Sequence, residues 1–270
     1  MTDRTPGEAE ARIVERSACA HDLVRPYEGR PGVLGAFVHG SSVRPYGDAR
    51  SDLDIGVVVA DDTVAAELAG SEVHRKIWVE GRKLADLSLY PAGSLASPPS
   101  DLEHFRAMYA RVLFEDGGQV TALLDLARAL PPAMAAERLR VHYFEVTNLM
   151  AKARSAQQRG HDDIAALLRS QLVVRAGRLL AVSRGVWPSP TTWMFEELSW
   201  SGVPAPLLAS LRALPTSAEP RQLRTLRGAL DEYLLAQGIA FVADPGALLE
   251  WIYGTPAGRS AVAAWGWELG

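Results

Sequence analysis

The chain has 270 residues, is 48% hydrophobic and carries a formal net charge of −4. That length and apolar content suffice for one or two hydrophobic cores, while the acidic balance argues against a dedicated nucleic-acid binder, which needs a basic surplus. Cys19 is the single cysteine, so an internal disulfide and a cysteine-based metal site are both excluded.

The N-terminal stretch Met1 to Glu10 is charged and has no apolar core, unlike a signal peptide. No apolar run approaches the length of a membrane span. A soluble cytoplasmic protein is the expectation. Basic residues are unevenly chosen, with three Lys against twenty-five Arg, and this bias runs through the whole chain rather than marking a patch.

In chain order, Ala9 to Tyr27 reads as a helix, because Ile13, Val14, Ala18 and Val24 recur at helical spacing and Pro26 lies near the end. Gly29, Pro31 and Gly32 make a turn. Val33 to His39 is a short apolar strand, and Asp52 to Ala60 is a second. Asp62 to Glu72 predicts a helix capped by Asp61 or Asp62. Lys76 to Glu80 and Lys83 to Tyr90 predict two strands joined at Gly81. Ala92 to Pro99 is rich in Pro and Ser and reads as a loop. Ala107 to Phe114 is apolar and ends at Glu115-Asp116-Gly117-Gly118. Beyond it the pattern is helical: Gln119–Leu130, Ala133–Arg159, Asp162–Arg184 and several segments after Thr191. The fold class expected is α+β. An α/β domain over 1–118, with a small mixed sheet flanked by helices, precedes an all-helical domain over 119–270.

Two features carry chemistry. Val38-His39-Gly40-Ser41-Ser42 places a small-residue turn after a strand, and a ten-residue spacer separates Ser41 from Asp52-Leu53-Asp54-Ile55. Strand side chains alternate faces, so Asp52 and Asp54 point the same way. Such like-charged neighbours suit a hard divalent cation, which binds carboxylate oxygens together with substrate phosphates. The Gly-Ser turn offers unhindered backbone N–H groups for a phosphate chain. Each feature alone is equally an ordinary turn or a solvated strand face; their combination favours the chemical reading.

This arrangement resembles the signature of the nucleotidyltransferase superfamily typified by DNA polymerase beta and by antibiotic nucleotidyltransferases of the aminoglycoside and lincosamide types. The resemblance covers roughly the first 118 residues. It implies a third carboxylate from a later strand, and Asp86 in Lys83-Leu84-Ala85-Asp86-Leu87 is placed for it. It implies two Mg²⁺ ions and ATP or another NTP as co-substrate. Asp52 and Asp54 would bridge both ions, and Asp86 would bind the ion that activates the acceptor hydroxyl. Gly40, Ser41 and Ser42 would hold the β and γ phosphates, with Ser51 flanking the carboxylates. Arg44 and Arg50, in the spacer, are candidate phosphate contacts or solvated loop residues. His39 is expected to pack at the strand end.

The segment Val141 to Trp193 is similar to the helical domain of small-molecule nucleotidyltransferases. The likeness rests on Tyr143-Phe144-Glu145, Leu149 to Ala153, Arg159 to Asp162 and Trp187 to Trp193. It implies Glu145 as a general base and a lysine near the phosphates. The only lysine here is Lys152, two turns beyond Glu145 rather than one. A solvated Glu145, or an i,i+3 partner of His142, is the alternative, and Glu196 and Glu197 are rival bases. Trp187, Trp193, Phe195 and Trp200 are core residues or pocket walls. From Gln119 to Trp200 there are ten Lys/Arg and seven Asp/Glu, an unfavourable balance for a polycationic acceptor.

The expected activity is Mg²⁺-dependent transfer of a nucleoside monophosphate, AMP from ATP for choice, to a hydroxyl of a small molecule such as an antibiotic, with release of pyrophosphate. Expected partners are the NTP and that acceptor, without nucleic acid or membrane, and the chain acts as a monomer or homodimer. The alternatives are an antitoxin-type or protein-adenylylating nucleotidyltransferase, and a non-catalytic nucleotide-binding regulator on the same fold.

Overall fold

The computed structural model describes residues 6–47, 51–69, 74–79, 82–217 and 219–265. The chain divides into two compact units, Met1–Ala129 and Leu130–Gly270.

The first unit is built on a five-stranded mixed sheet. Its elements in order are α1 (Pro6–Val24), β1 (Val33–His39), β2 (Leu53–Val59), α2 (Asp62–Ala69), β3 (His74–Val79), β4 (Arg82–Pro91), α3 (Ala92–Ala96), α4 (Asp101–Met108), β5 (Arg111–Glu115) and α5 (Gln119–Arg128). The strand order is β3-β4-β2-β1-β5. Only the β2–β4 pair is parallel among these neighbours. β1 and β2 lie centrally, and their nearly unbroken apolar runs are what strands covered on both faces require.

Side-chain alternation sorts the sheet into two cores. Leu53, Ile55, Val57 and Val59 of β2 pack with Val38, Leu87 and Leu89 under Ile13, Ala20 and Val24 of α1 and Ala65 of α2. The opposite face buries Phe37 and Val58 against Leu95 of α3, Ala107 of α4, and Val120, Leu124 and Ala127 of α5. Each such large apolar side chain contributes about 1.5–3 kcal/mol relative to exposure. β3, at the sheet edge, is almost wholly exposed, with Trp78 and Val79 among its exposed residues.

Three local readings change. The segment Ala92 to Pro99, expected as a loop, begins with α3, because Leu95 is pulled into the core. The apolar run Ala107 to Phe114 is not one element: it closes α4 and opens β5. The start of α4 is set by Ser100, whose hydroxyl accepts from the Glu103 amide at 3.4 Å, an N-terminal cap. α5 packs on β1, β5, α3 and α4, so the first unit runs past Gly118 to Ala129.

The second unit is all helical. It comprises α6 (Pro132–Gln158), α7 (Asp162–Ser183), α8 (Met194–Trp200), α9 (Ala205–Ala213), α10 (Pro220–Ala236), α11 (Pro245–Leu249) and α12 (Pro256–Trp265). α6 ends where Gly160 takes φ 76°. There the His161 amide donates to Ala156 O and the Gly160 amide to Gln157 O, both at 3.0 Å. This is a Schellman stop that needs a left-handed residue. α6 and α7 pack along each other, and Val141, Val146, Leu172, Leu179 and Leu180 join Leu226 and Leu230 of α10 in one core. Among the described residues no helix is long and apolar enough to cross a membrane.

Candidate metal centre

β2 and β4 bring three carboxylates together. Asp52 immediately precedes β2 and Asp54 is its second residue, so both project to one face. The parallel ladder sets Asp54 directly beside Asp86 of β4. One carboxylate oxygen from each of Asp52, Asp54 and Asp86 lies within 4.8 Å of the others, and all three residues are half-buried. On the other side of Asp54, the β1–β2 ladder pairs it with His39.

The turn after β1 is shaped around Asp54. Gly40 has φ 76° and ψ −161°, a backbone position that side-chain-bearing residues rarely adopt. A Cβ at this position would overlap the Asp54 carboxylate. Ser41 to Val43 then form a short 3₁₀ turn. Ser41 is half-buried. Ser42 is buried, and its hydroxyl donates to His39 O at 3.2 Å. Ser51, beside Asp52, is buried too, and its carbonyl accepts from the Arg16 guanidinium.

Arg44, a candidate phosphate contact by sequence, is instead a packing residue. Its guanidinium lies 3.5 Å from the Phe105 ring centre and 4.9 Å from that of Tyr109. It donates to Phe105 O at 3.0 Å and to Tyr46 Oη at 2.7 Å. Only 1% of its surface is exposed. Its own carbonyl accepts from Arg12 at 2.6 Å, so the spacer is fastened to α1. Arg50 lies outside the described residues.

Two residues beside this group, Tyr90 and His74, were not singled out from the sequence. Tyr90 shares the face of Asp86 by strand alternation. Burial, with Glu103 and Asp54 nearby, pushes its phenol up to about 12, so it stays protonated; Arg106 is its hydrogen-bond partner. His39 packs against Phe37 and edge-on against Tyr90, with ring centres 5.5 and 6.3 Å away. Burial, reinforced by Arg106 and Arg44, holds its pKa down to about 3, so the ring is neutral. His39 is thus the packing residue expected, and it adds no charge beside the carboxylates. His74 of β3 approaches Asp86 at 3.7 Å and contacts Ser88 Oγ at 2.6 Å. The period-two pattern Asp86, Ser88, Tyr90 was the available signal for Tyr90; His74 needed the β3–β4 register, which pairs it with Ser88.

The candidates in the helical unit have other settings. Glu145 of α6 is buried, 3.3 Å from His142 Nδ1 and 3.5 Å from Arg175 of α7. It is therefore the i,i+3 partner of His142 rather than a solvated residue. Burial lowers the pKa of His142, while Glu145 opposes that shift. Lys152 is exposed on α6. On α8, Glu196 is half-buried and Glu197 fully buried. Trp187 is buried with the Arg138 guanidinium 5.0 Å from its ring centre, whereas Trp200 is largely exposed.

The donor set formed by Asp52, Asp54 and Asp86 is all hard oxygen, which fits Mg²⁺ better than a soft or nitrogen-seeking metal. The missing side chain at Gly40 makes room for the Asp54 carboxylate against the turn. Both features suit a divalent cation carrying phosphate oxygens.

Neither a family model nor a curated relative matches the chain. Among solved structures, it is similar to the crystal structure of a nucleotidyltransferase-like protein from Exiguobacterium sibiricum, with 13% identity, a TM-score of 0.49, and coverage of 93% of this chain and 87% of that one.

Proposed function

We propose that this chain is a nucleotidyltransferase that moves a nucleoside monophosphate, AMP from ATP for choice, onto a hydroxyl of a small molecule and releases pyrophosphate. The observation that carries this reading is the meeting of Asp52, Asp54 and Asp86 within 4.8 Å beside the Gly40 turn. Two Mg²⁺ ions held there would supply Lewis-acid stabilisation of the attacking and leaving oxygens. Asp52 and Asp54 would hold ions through oxygens presented on one strand face. Asp86 would complete the set from the neighbouring strand and hold the ion that activates the acceptor hydroxyl. Backbone N–H groups of Gly40 and Ser41 would hold the phosphates that leave as pyrophosphate. The neutral ring of His39 and the protonated phenol of Tyr90 wall the centre without competing for a proton.

In this proposal the helical unit is the acceptor-binding part of the chain. From Gln119 to Trp200 ten Lys/Arg stand against seven Asp/Glu, a balance that favours a hydroxylated acceptor that is not polycationic; a lincosamide-like compound fits better than an aminoglycoside. No general-base role is assigned to Glu145, which is engaged with His142 and Arg175. The test is a mass shift of one nucleoside monophosphate across a panel of lincosamides, aminoglycosides and related hydroxylated compounds, with ATP and Mg²⁺. Labelled ATP incubated with lysate proteins covers protein acceptors. Turnover that survives Asp52→Ala would overturn the assignment.

A further inference from the structure

A second binding feature lies wholly within the helical unit. A cavity of about 90 Å³ opens between α7 and the turn that leads into α8, lined by Val174, Gly177, Arg178, Ser189, Thr191 and Met194, with Pro188 and Pro190 stiffening its rim. Its volume matches about three water molecules at roughly 30 Å³ each, which is the scale of a carboxylate or phosphate group. Gly177 keeps α7 close to α8, because a Cβ there would collide with the Met194 sulfur. The floor is thus closed by packing and the walls by two prolines.

Three polar side chains line this cavity. Arg178 makes neither a hydrogen bond nor an ion pair among the described residues, and the side chains of Ser189 and Thr191 likewise make no hydrogen bond among them. Arg178 also belongs to a group rich in positive charge. It acts on His142 together with Arg138, and on Arg175, whose guanidinium lies 3.5 Å from Glu145. A negative charge brought to Arg178 would ease its repulsion with Arg175. A guanidinium is the side chain whose planar fork fits two oxygens of one oxyanion, and hydroxyls can complete the remaining oxygens.

We propose that this cavity is an oxyanion subsite, in which Arg178 grips a carboxylate or phosphate group and Ser189 and Thr191 donate to its outer oxygens. The subsite is independent of the three aspartates and of the reaction assigned to them. It marks the helical unit as a binder of an acidic group, whether on a free anion or on a larger molecule.

The experiment is thermal unfolding of the full chain without divalent metal, at fixed pH, titrated in separate arms with sodium phosphate and sodium acetate against sodium chloride of equal ionic strength. A saturable rise in Tm over chloride is expected in at least one arm, and the arm that responds identifies the oxyanion. Arg178→Gln should weaken that response by about tenfold or more, the loss of a charge-assisted bidentate contact. Arg178→Lys should restore it only in part. If Arg178→Gln fails to fold, Thr191→Val, at an exposed position, serves as the second variant and should weaken the same response. No saturable rise in either arm, or an equal rise in wild type and the variants, overturns the proposal. The latter result would place the anion elsewhere, for instance at the Gly40 turn.

Discussion

Gly40 and Asp54 stand so close that the carboxylate of one occupies the space where the other would carry a Cβ. The turn and the carboxylate-bearing strand are therefore one device, joined through the His39–Asp54 pairing of β1 and β2. Gly40→Ala must both strain a backbone held at φ 76° and push the carboxylate aside. The strain alone costs about 1–3 kcal/mol. Turnover of the variant is expected to fall as far as in Asp54→Ala, while its urea midpoint drops modestly. Wild-type turnover in Gly40→Ala would show that the turn and Asp54 do not act together.

Removing one carboxylate should abolish divalent binding as well as activity. Mg²⁺ at about 100 times its Kd should stabilise the wild-type chain by about 2.7 kcal/mol, read as a rise in Tm. Asp86→Asn and Asp52→Ala are expected to lose that rise, and their turnover should fall on the order of 100-fold or more. EDTA treatment of the wild type should reproduce the loss, with recovery on adding Mg²⁺. An undiminished Mg²⁺ response in Asp86→Asn would remove β4 from the centre.

Acid stability reports on His39. Its pKa is about 3 in the folded chain against an ordinary value of 6.5. Below pH 6.5 the unfolded chain therefore binds a proton that the folded chain refuses. The stability contributed by the neutral ring is complete above 6.5 and is lost as pH falls from there towards 3. The limiting slope is about 1.4 kcal/mol per pH unit. His142 acts in the same direction, since its pKa is also lowered by burial. His39→Gln should flatten this limb in urea unfolding measured from pH 7 to pH 4. An unchanged slope would mean that the ring is not held neutral.

Glu145 offers a separation between structure and catalysis. Glu145→Gln leaves Arg175 and His142 facing an uncharged partner in a buried setting. A loss of about 3 kcal/mol is expected for breaking such a pair. Pairing the change with Arg175→Met should recover part of it, a coupling that a double-mutant cycle measures. The pH profile of kcat should keep its acidic limb in Glu145→Gln; disappearance of that limb would restore Glu145 as the general base.

Arg44→Lys tests the aromatic cage. A lysine keeps the charge but loses the planar stacking on Phe105 and the fork that reaches Phe105 O and Tyr46. Stability should drop by about 1–2 kcal/mol with little change in the KM for ATP. A large rise in that KM at unchanged stability would return Arg44 to the phosphates.

Local order along the chain was legible without coordinates. Alternation alone places Asp52 and Asp54 on one face, because successive strand residues must point to opposite sides. The mainly apolar runs of Val33 to His39 and Asp52 to Ala60 mark strands, and the Gly160 break between two helices follows from a backbone angle that glycine tolerates. These features depend on residues within a few positions of each other. What the tertiary structure alone decided depends on residues far apart. That Asp86 stands beside Asp54 follows from a parallel ladder whose crossover runs through α2 and β3. That Arg44 packs on Phe105, 61 positions away, and that Glu145 meets Arg175 across two helices, follow from which surfaces the packing buried. A charged side chain carries no local mark of whether it will face solvent or be enclosed. Its fate is set by the desolvation cost and by the partners that distant segments bring, and those exist only once the chain has folded.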